Sequence, residues 1–91
     1  MDIKDTIELM MSGDYKERFQ AEWVQTKIRY EKLHKLVVRY EAGTLDFKPP
    51  CSLELLKEQK RHMGEYLFCL EKRAEIEGVY LPRMILCSIK G

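Results

Sequence analysis

The chain has 91 residues, of which 34% are charged and 45% hydrophobic, and its formal net charge is +1. A chain of this length forms one small domain with a thin core, and the balanced charge argues against a protein that coats DNA. The three cysteines form no CxxC pair, so we expect reduced thiols and no metal site.

The first predicted element is a short helix over residues 2–11. Ile3 and Ile7 recur at helical spacing, and Asp2 and Asp5 lie near the positive N-terminal end of that helix. Acidic residues stand where a secretion signal would carry basic ones, and no apolar run approaches the ~18 residues of a membrane span. We therefore expect a cytoplasmic protein that does not contact a membrane.

A longer helix is predicted over residues 14–42. Asp14 and Glu17 have the spacing of a capping box, in which each side chain accepts a hydrogen bond from an amide of the first turn. Gly43 stands where a left-handed residue commonly ends a helix. Alternating steps of four and three place the following residues on one stripe of the helix: Phe19, Trp23, Thr26, Tyr30, Leu33, Val37 and Tyr40.

A third helix is predicted over residues 52–77. Pro49 and Pro50 cannot continue a helix, because each lacks an amide donor and disfavours the α conformation of the preceding residue. Ser52 is the predicted N-cap, and Gly78 stands where the helix would end. The apolar stripe of this helix has the same spacing as the stripe of the second helix, and its residues are Leu56, Gln59, Met63, Leu67, Leu70 and Ala74.

These elements predict an all-α fold, in which a short N-terminal helix precedes a long antiparallel helical hairpin. The domain covers residues 1–81, and residues 82–91 form a C-terminal tail. The segment that begins at Val79 is apolar enough for a strand or for an arm on a neighbouring subunit, and a frayed tail is the alternative.

Apolar residues outside the two stripes predict a homo-oligomer. They are Ile28, Leu36 and Val38 on the second helix and Tyr66, Phe68, Cys69 and Ile76 on the third. Leaving apolar area in water costs roughly 25 cal/mol per Å², so association is favourable. Gly64 lies within a helix, where glycine costs about 1 kcal/mol relative to alanine, and either a close neighbour or an incidental surface position would explain it.

The sequence contains none of the common catalytic motifs. A phosphate-binding loop, a GxSxG elbow, an HExxH pair and an EF-hand loop are absent from it. The carboxylates of the third helix alternate with Lys72 and Arg73, as on a solvated face. We therefore expect a protein that is not an enzyme and that needs no cofactor.

Tyrosine and arginine residues along the borders of the two stripes are the candidates for ligand binding. The second helix carries Tyr15, Arg18, Glu22, Arg29 and Tyr40 on one border, and the third carries His62, Tyr66, Cys69 and Arg73. Arginine pairs with phosphate and tyrosine stacks on a base, although both residue types are also frequent in protein interfaces. The selected ligand-binding residues are Tyr15, Arg18, Arg29, Phe47, Lys48, Tyr66 and Arg73.

Phe47 and Lys48 are included because a simple turn does not need them. Two residues would suffice to connect two helices, whereas this connection spans about ten. We predict that the segment 45–47 either folds back over the end of the hairpin or reaches a neighbouring subunit, with Lys48 beside it.

The run RYEKLHKLVVRYEAGTLDF, followed by LELLKEQKRHMGEYLFCLEKRAEIEG, resembles small phage and prophage proteins of Gram-positive bacteria that are related to a protein of a crAss-like phage. The resemblance covers about residues 15–78. Its shared positions are Tyr40-Glu41, a turn that contains Phe, Leu55-Leu56, Gln59, Met63, Tyr66-Leu67, Leu70 and Arg73.

This architecture is in turn similar to the hairpin fold of phage anti-CBASS and anti-Thoeris sponge proteins, which form homo-oligomers, commonly hexamers. The resemblance implies a phage-encoded anti-defence protein in the cytoplasm of the infected cell. It would hold a cyclic dinucleotide, a cyclic trinucleotide or a cyclic ADP-ribose isomer at subunit borders without cleaving it. The alternative is a protein-binding inhibitor or adaptor, for example of a CRISPR effector, that acts through its apolar helix faces.

Overall fold

The computed structural model describes residues 3–82, except for the side chain of Asp5. A 3₁₀ turn over Ile3–Thr6 is followed by three α-helices, namely α1 (Ile7–Met10), α2 (Tyr15–Ala42) and α3 (Leu53–Glu77). All regular secondary structure in this part of the chain is helical. Of the predicted tail, only Pro82 lies within the described residues.

The side chains that begin α2 differ in part from the predicted capping box. Asp14 accepts a hydrogen bond from the amide of Lys16 at 2.9 Å. Glu17 does not reach the amide of Asp14, and this half of the prediction is wrong. The hydroxyl of Ser12 lies between the two residues: it donates to Glu17 and accepts from the Asp14 amide at 3.0 Å. A hydroxyl can fill this place because it both donates and accepts.

The other helix ends follow from local chemistry. Gly43 and Gly78 end α2 and α3 with φ angles of 74° and 71°, in the left-handed region that glycine adopts without strain. The hydroxyl of Ser52 accepts a hydrogen bond from the amide of Leu55 at 3.2 Å and so caps the start of α3.

Contacts between α2 and α3 run in opposite order along the two helices. Tyr15 at the start of α2 contacts Glu77 at the end of α3, and Glu41 near the end of α2 contacts Lys57 near the start of α3. The core between the helices contains Phe19, Trp23, Val24, Leu67, Leu70 and Ala74, joined by Val79 and Leu81. Burial of these side chains is the main source of stability that the chain offers.

Gln59 was predicted in the buried stripe of α3, but its side chain is exposed. It lies on a shallow outer surface with Leu55 and Tyr66 rather than toward α2. Lys60 takes the inner place instead, where it is half-buried with its ammonium 5.9 Å from the centre of the Tyr30 ring. A long lysine stem can cover an aromatic ring while the charge stays near water.

The N-terminal turn and α1 pack on α2. Thr6 is fully buried, and its hydroxyl donates to the carbonyl of Ile3 at 2.6 Å and accepts from the amide of Gln25 at 2.7 Å. Ala21 of α2 is fully buried and projects away from the side that carries Phe19. The N-terminal element therefore covers part of the apolar surface that α3 does not reach.

The residues that follow α3 pack on their own chain. Val79 and Leu81 are buried in the core, and the side-chain amide of Gln20 donates to the carbonyl of Tyr80 at 2.8 Å. Residues 79–81 are therefore not frayed, whereas the rest of the segment after Pro82, for which a strand or an arm on a neighbouring subunit was predicted, lies outside the described residues. In the described part of the chain, none of the helices has the length and apolar character that crossing a membrane requires.

Candidate functional site

On one side of the helix pair, four residues form hydrogen bonds between α2 and α3. We call this side the tyrosine flank, and its residues are Tyr15 and Glu22 on α2, and Tyr66 and Arg73 on α3. The hydroxyl of Tyr66 donates to the carboxylate of Glu22 at 2.7 Å. Arg73 donates to the hydroxyl oxygen of Tyr15. The predicted binding residues Tyr15 and Arg73 therefore lie in contact.

Glu77 completes the cluster at the end of the tyrosine flank. The hydroxyl of Tyr15 donates to one carboxylate oxygen of Glu77 at 2.7 Å, and Nε of Arg73 donates to the other at 3.1 Å. These hydrogen bonds hold the pKa of Glu77 below its ordinary value, and the bond to Glu77 raises the pKa of Tyr15. The charge of Arg73 is thus balanced by a carboxylate of its own chain.

Tyr66 is held as a neutral hydrogen-bond donor. Its hydrogen bond to Glu22, together with partial burial, raises its pKa to about 12. Glu22 lies one residue before Trp23, whose indole NH donates to Glu71 of α3 at 3.3 Å. The hydrogen bond from Tyr66 to Glu22 and the neighbouring bond from Trp23 to Glu71 therefore both join α2 to α3.

The remaining predicted residues do not all meet at this flank. Arg18 donates to the backbone carbonyl of Ser12 at 2.8 Å, and Arg29 is exposed further along α2. Phe47 and Lys48 lie in the connection between α2 and α3, at the far end of α2. At 1.5 Å per residue, the 28 residues of α2 extend about 42 Å. Within one chain, these two residues are therefore far from Tyr15 and Arg73.

Phe47 does not fold back over the end of its own hairpin, so that half of the prediction is wrong. Its side chain is 57% exposed, whereas Pro49 is buried in the same connection. In this connection the proline is therefore buried, while the phenylalanine stays largely in solvent. The prediction that the segment 45–47 reaches a neighbouring subunit stays a prediction.

A groove of about 730 Å³ lies between α2 and α3 on another side of the pair. We call it the basic groove after the cations among its lining residues, which include Tyr30, His34, Lys57, Lys60, Arg61 and Phe68. The sequence analysis selected none of these six residues as ligand-binding residues. The spacing of Lys57, Lys60 and Arg61, at i, i+3 and i+4, was the signal that would have found a basic surface on α3.

Gly64 lies in this groove against the ring of Tyr30. A Cβ atom at position 64 would lie 3.3 Å from Cε1 of Tyr30, which is closer than ordinary van der Waals contact. The close neighbour considered for Gly64 is therefore a residue of its own chain. The same ring has the ammonium groups of Lys27 and Lys60 at 5.5 and 5.9 Å from its centre, within the range of cation–π attraction.

Two of the three cations on the α3 side of the groove are paired with carboxylates. Lys57 pairs with Glu41 across the two helices at 2.8 Å, and Arg61 pairs with Glu65 at 3.5 Å. The hydrogen bond between Glu41 and Lys57 lowers the pKa of the glutamate and raises that of the lysine. Among the described residues, Lys60 forms no direct ion pair; its ammonium lies over the Tyr30 ring, and its charge also helps to lower the pKa of Glu41.

The comparisons with known proteins gave one match. Residues 13–76 match a family model described as Sequestin. The matched part exceeds two thirds of the chain and runs from the residue before the N-cap of α2 to the penultimate residue of α3. No curated protein and no solved structure match the chain.

Proposed function

The chain belongs to the Sequestin family, whose name indicates a sequestering protein, and we propose that it sequesters a cyclic nucleotide immune signal. The ligand classes proposed are cyclic dinucleotides, cyclic trinucleotides and cyclic ADP-ribose isomers. In this proposal the protein is phage-encoded and acts in the cytoplasm of the infected cell, where it keeps the signal from the host effector.

The observation that carries the proposal is the extent of the family match. It covers α2, the connection and nearly all of α3, and these elements hold both the tyrosine flank and the basic groove. The sequestering role is therefore assigned to the helix pair. Both surfaces carry a guanidinium group and aromatic rings, which are the groups that bind phosphate and stack on bases.

Binding without cleavage is supported by the state of the flank residues. The hydroxyl of Tyr66 already donates its proton to Glu22, and this bond helps to raise the pKa of Tyr66 to about 12, so the residue does not act as a base near neutral pH. Arg73 is permanently charged and lies next to Tyr15. Such groups suit the binding of an anion that is later released chemically unchanged.

The proposal includes assembly of antiparallel hairpins into a homo-oligomer such as a hexamer, with the ligand at subunit borders. Large apolar side chains that stay exposed on α3 support this arrangement, namely Leu55, Tyr66, Phe68 and Ile76. A second chain would remove them from water. The same faces would serve a protein-binding inhibitor or adaptor, and that function predicts a copurifying host protein instead.

The experiment is a thermal shift assay with a panel of cyclic dinucleotides, cyclic trinucleotides and cyclic ADP-ribose isomers. A ligand at a hundredfold excess over its Kd stabilises the native state by about 2.7 kcal/mol, which for a domain of this size raises Tm by roughly 10–20 °C. The ligand released by heating should be chemically intact by mass spectrometry.

Arg18→Ala and Arg29→Ala variants complete this experiment, with Lys35→Ala on α2 as the matched control. The proposed function expects the two arginine variants to lose protection of the phage in an infection assay while the control retains it. The absence of a thermal shift with every compound, together with wild-type behaviour of both arginine variants, would overturn it.

A further inference from the structure

We propose that the basic groove is itself a binding site for an anion that carries a planar ring, with the phosphate held by Lys60 and Arg61 and the ring placed on Phe68. For the class of ligand this inference rests on the proposed function. The proposed location does not depend on the proposed function. All three residues belong to α3, and none of them is on the tyrosine flank.

Lys60 is the cation in this groove that remains available to an anion. It forms no ion pair among the described residues, and its ammonium lies over the ring of Tyr30. Because Lys60 has no direct carboxylate partner among the described residues, it can bind a phosphate without first breaking an ion pair.

The pairs formed by Lys57 and Arg61 do not prevent phosphate binding. The side chains of both pairs are about half exposed, with values between 46% and 63%. Exposed ion pairs of this kind contribute little to stability, so a phosphate group can replace the carboxylate of Glu65 at Arg61. Three cations face two carboxylates in the lining, which leaves the groove with a positive balance.

Phe68 supplies the surface for a ring. Its side chain is 59% exposed, although a phenylalanine is usually buried, and the ammonium of Lys72 lies 4.4 Å from its ring centre. An exposed aromatic face next to cations is the arrangement on which nucleobases stack. Arg61 and Phe68 are seven residues apart, which corresponds to about 10.5 Å along α3 and suits a ligand of nucleotide size.

Gly64 lies between these two parts of the site. Glycine is unfavourable within a helix, and here its missing Cβ leaves room for the ring of Tyr30, which lines the groove. The groove volume of about 730 Å³ falls within the ~300–1,000 Å³ of typical small-molecule sites. A side chain at position 64 would force the Tyr30 ring, which lines the groove, to shift.

The first test needs no variant and uses ADP and inorganic pyrophosphate as probes. In a ¹H–¹⁵N NMR titration of the wild-type protein, we expect the amide of Gly64 to shift with ADP. Gly13 and Gly78, which lie outside the groove lining, serve as internal controls. An ADP titration that shifts Gly13 or Gly78 and leaves Gly64 unchanged would overturn the proposal, and so would the absence of any shift.

The second test measures Kd by calorimetry for Lys60→Met, Arg61→Gln and Phe68→Ala. The first two variants should bind ADP and pyrophosphate at least tenfold more weakly than the wild type does. Phe68→Ala should weaken the binding of ADP at least fivefold and leave the binding of pyrophosphate unchanged, since only ADP carries a ring. Lys35→Met and Tyr80→Ala are the matched controls, because both residues are exposed outside the groove lining, and they should bind as wild type. Equal binding by the groove variants and the controls would overturn the proposal.

The outcome also separates this inference from the proposed function. A cyclic nucleotide that stabilises the wild type and all three groove variants equally would leave the proposed function standing and place the ligand elsewhere. Binding of ADP that depends on Lys60 and Arg61, with no response to any cyclic nucleotide, would keep the groove and remove the cyclic nucleotide as its ligand.

Discussion

Gly64 of α3 and Tyr30 of α2 are fitted to each other, since a Cβ atom at position 64 would lie 3.3 Å from Cε1 of Tyr30. The relationship connects stability with the groove, because the same ring forms its base and is contacted there by Lys60. A glycine within a helix is unfavourable for the isolated helix, and its presence here is explained by the ring across the interface.

The first prediction is a double-mutant cycle on this pair. In the Tyr30→Ala background, Gly64→Ala should increase the free energy of unfolding by the ordinary helix gain of about 1 kcal/mol. In the wild-type background the same substitution should gain less, because the Tyr30 ring must shift by a few tenths of an ångström. Urea unfolding of the four proteins gives the coupling, and equal gains in both backgrounds would show that the contact has no energetic role.

The ends of the helices could be predicted from the sequence because each depends on a few neighbouring atoms. Ser52 caps α3, and Gly43 and Gly78 adopt positive φ angles, all through local hydrogen bonds and backbone sterics. Ser12 was missed because it stands outside the four-residue capping pattern, and its hydroxyl joins Asp14 and Glu17 only in three dimensions.

The site was harder to predict because it depends on how the two helices are rotated against each other. A helical wheel placed Gln59 inward, yet Lys60 lies against Tyr30. This rotation determines which cations reach the groove. The wheel did place Tyr15 and Arg73 at the borders of their stripes, and the structure brings them into contact, whereas their role in ligand binding stays a prediction.

The second prediction concerns the core. Leu70 is 1% exposed, and Leu70→Ala should lower the free energy of unfolding by about 2–5 kcal/mol, through lost burial and the cavity left behind. Leu55 lies on the same helix but is 53% exposed, so Leu55→Ala should change stability by less than about 0.5 kcal/mol in the monomer. Chemical denaturation at low protein concentration measures both, and similar losses would contradict the assigned core.

The third prediction concerns the ionisation of Tyr66. Its folded-state pKa of about 12 lies above the ordinary 10.0, chiefly because the hydroxyl donates to Glu22. The stabilisation by this pair is therefore complete below pH 10 and is lost as the pH rises toward 12. In an ultraviolet titration, Glu22→Gln should return one tyrosine toward pH 10. An unchanged titration curve would mean that Glu22 does not hold this proton.

The fourth prediction is a loss of stability in acid that depends on Glu77. Hydrogen bonds from Tyr15 and Arg73 lower its pKa below the ordinary value of 4.5. The stabilisation is then present above pH 4.5 and is lost as the pH falls through the lower, folded-state pKa. Glu77→Gln should flatten the dependence of Tm on pH below 4.5, whereas the control Glu75→Gln should keep the wild-type slope. The same slope in all three proteins would refute the assignment.

The last prediction tests whether the connection between α2 and α3 reaches a second chain. Phe47 is 57% exposed, so its removal should alter the stability of an isolated chain by less than about 0.5 kcal/mol. If the ring packs on a neighbouring subunit, Phe47→Ala instead removes a large apolar contact from each interface. The variant then dissociates at protein concentrations at which the wild type is still assembled. Light scattering over a range of concentrations should show a lower mass for Phe47→Ala than for the wild type, with Lys48→Ala as the neighbouring control. Identical masses at every concentration would exclude an interface through Phe47, and a monomeric wild type would remove the proposed oligomer altogether.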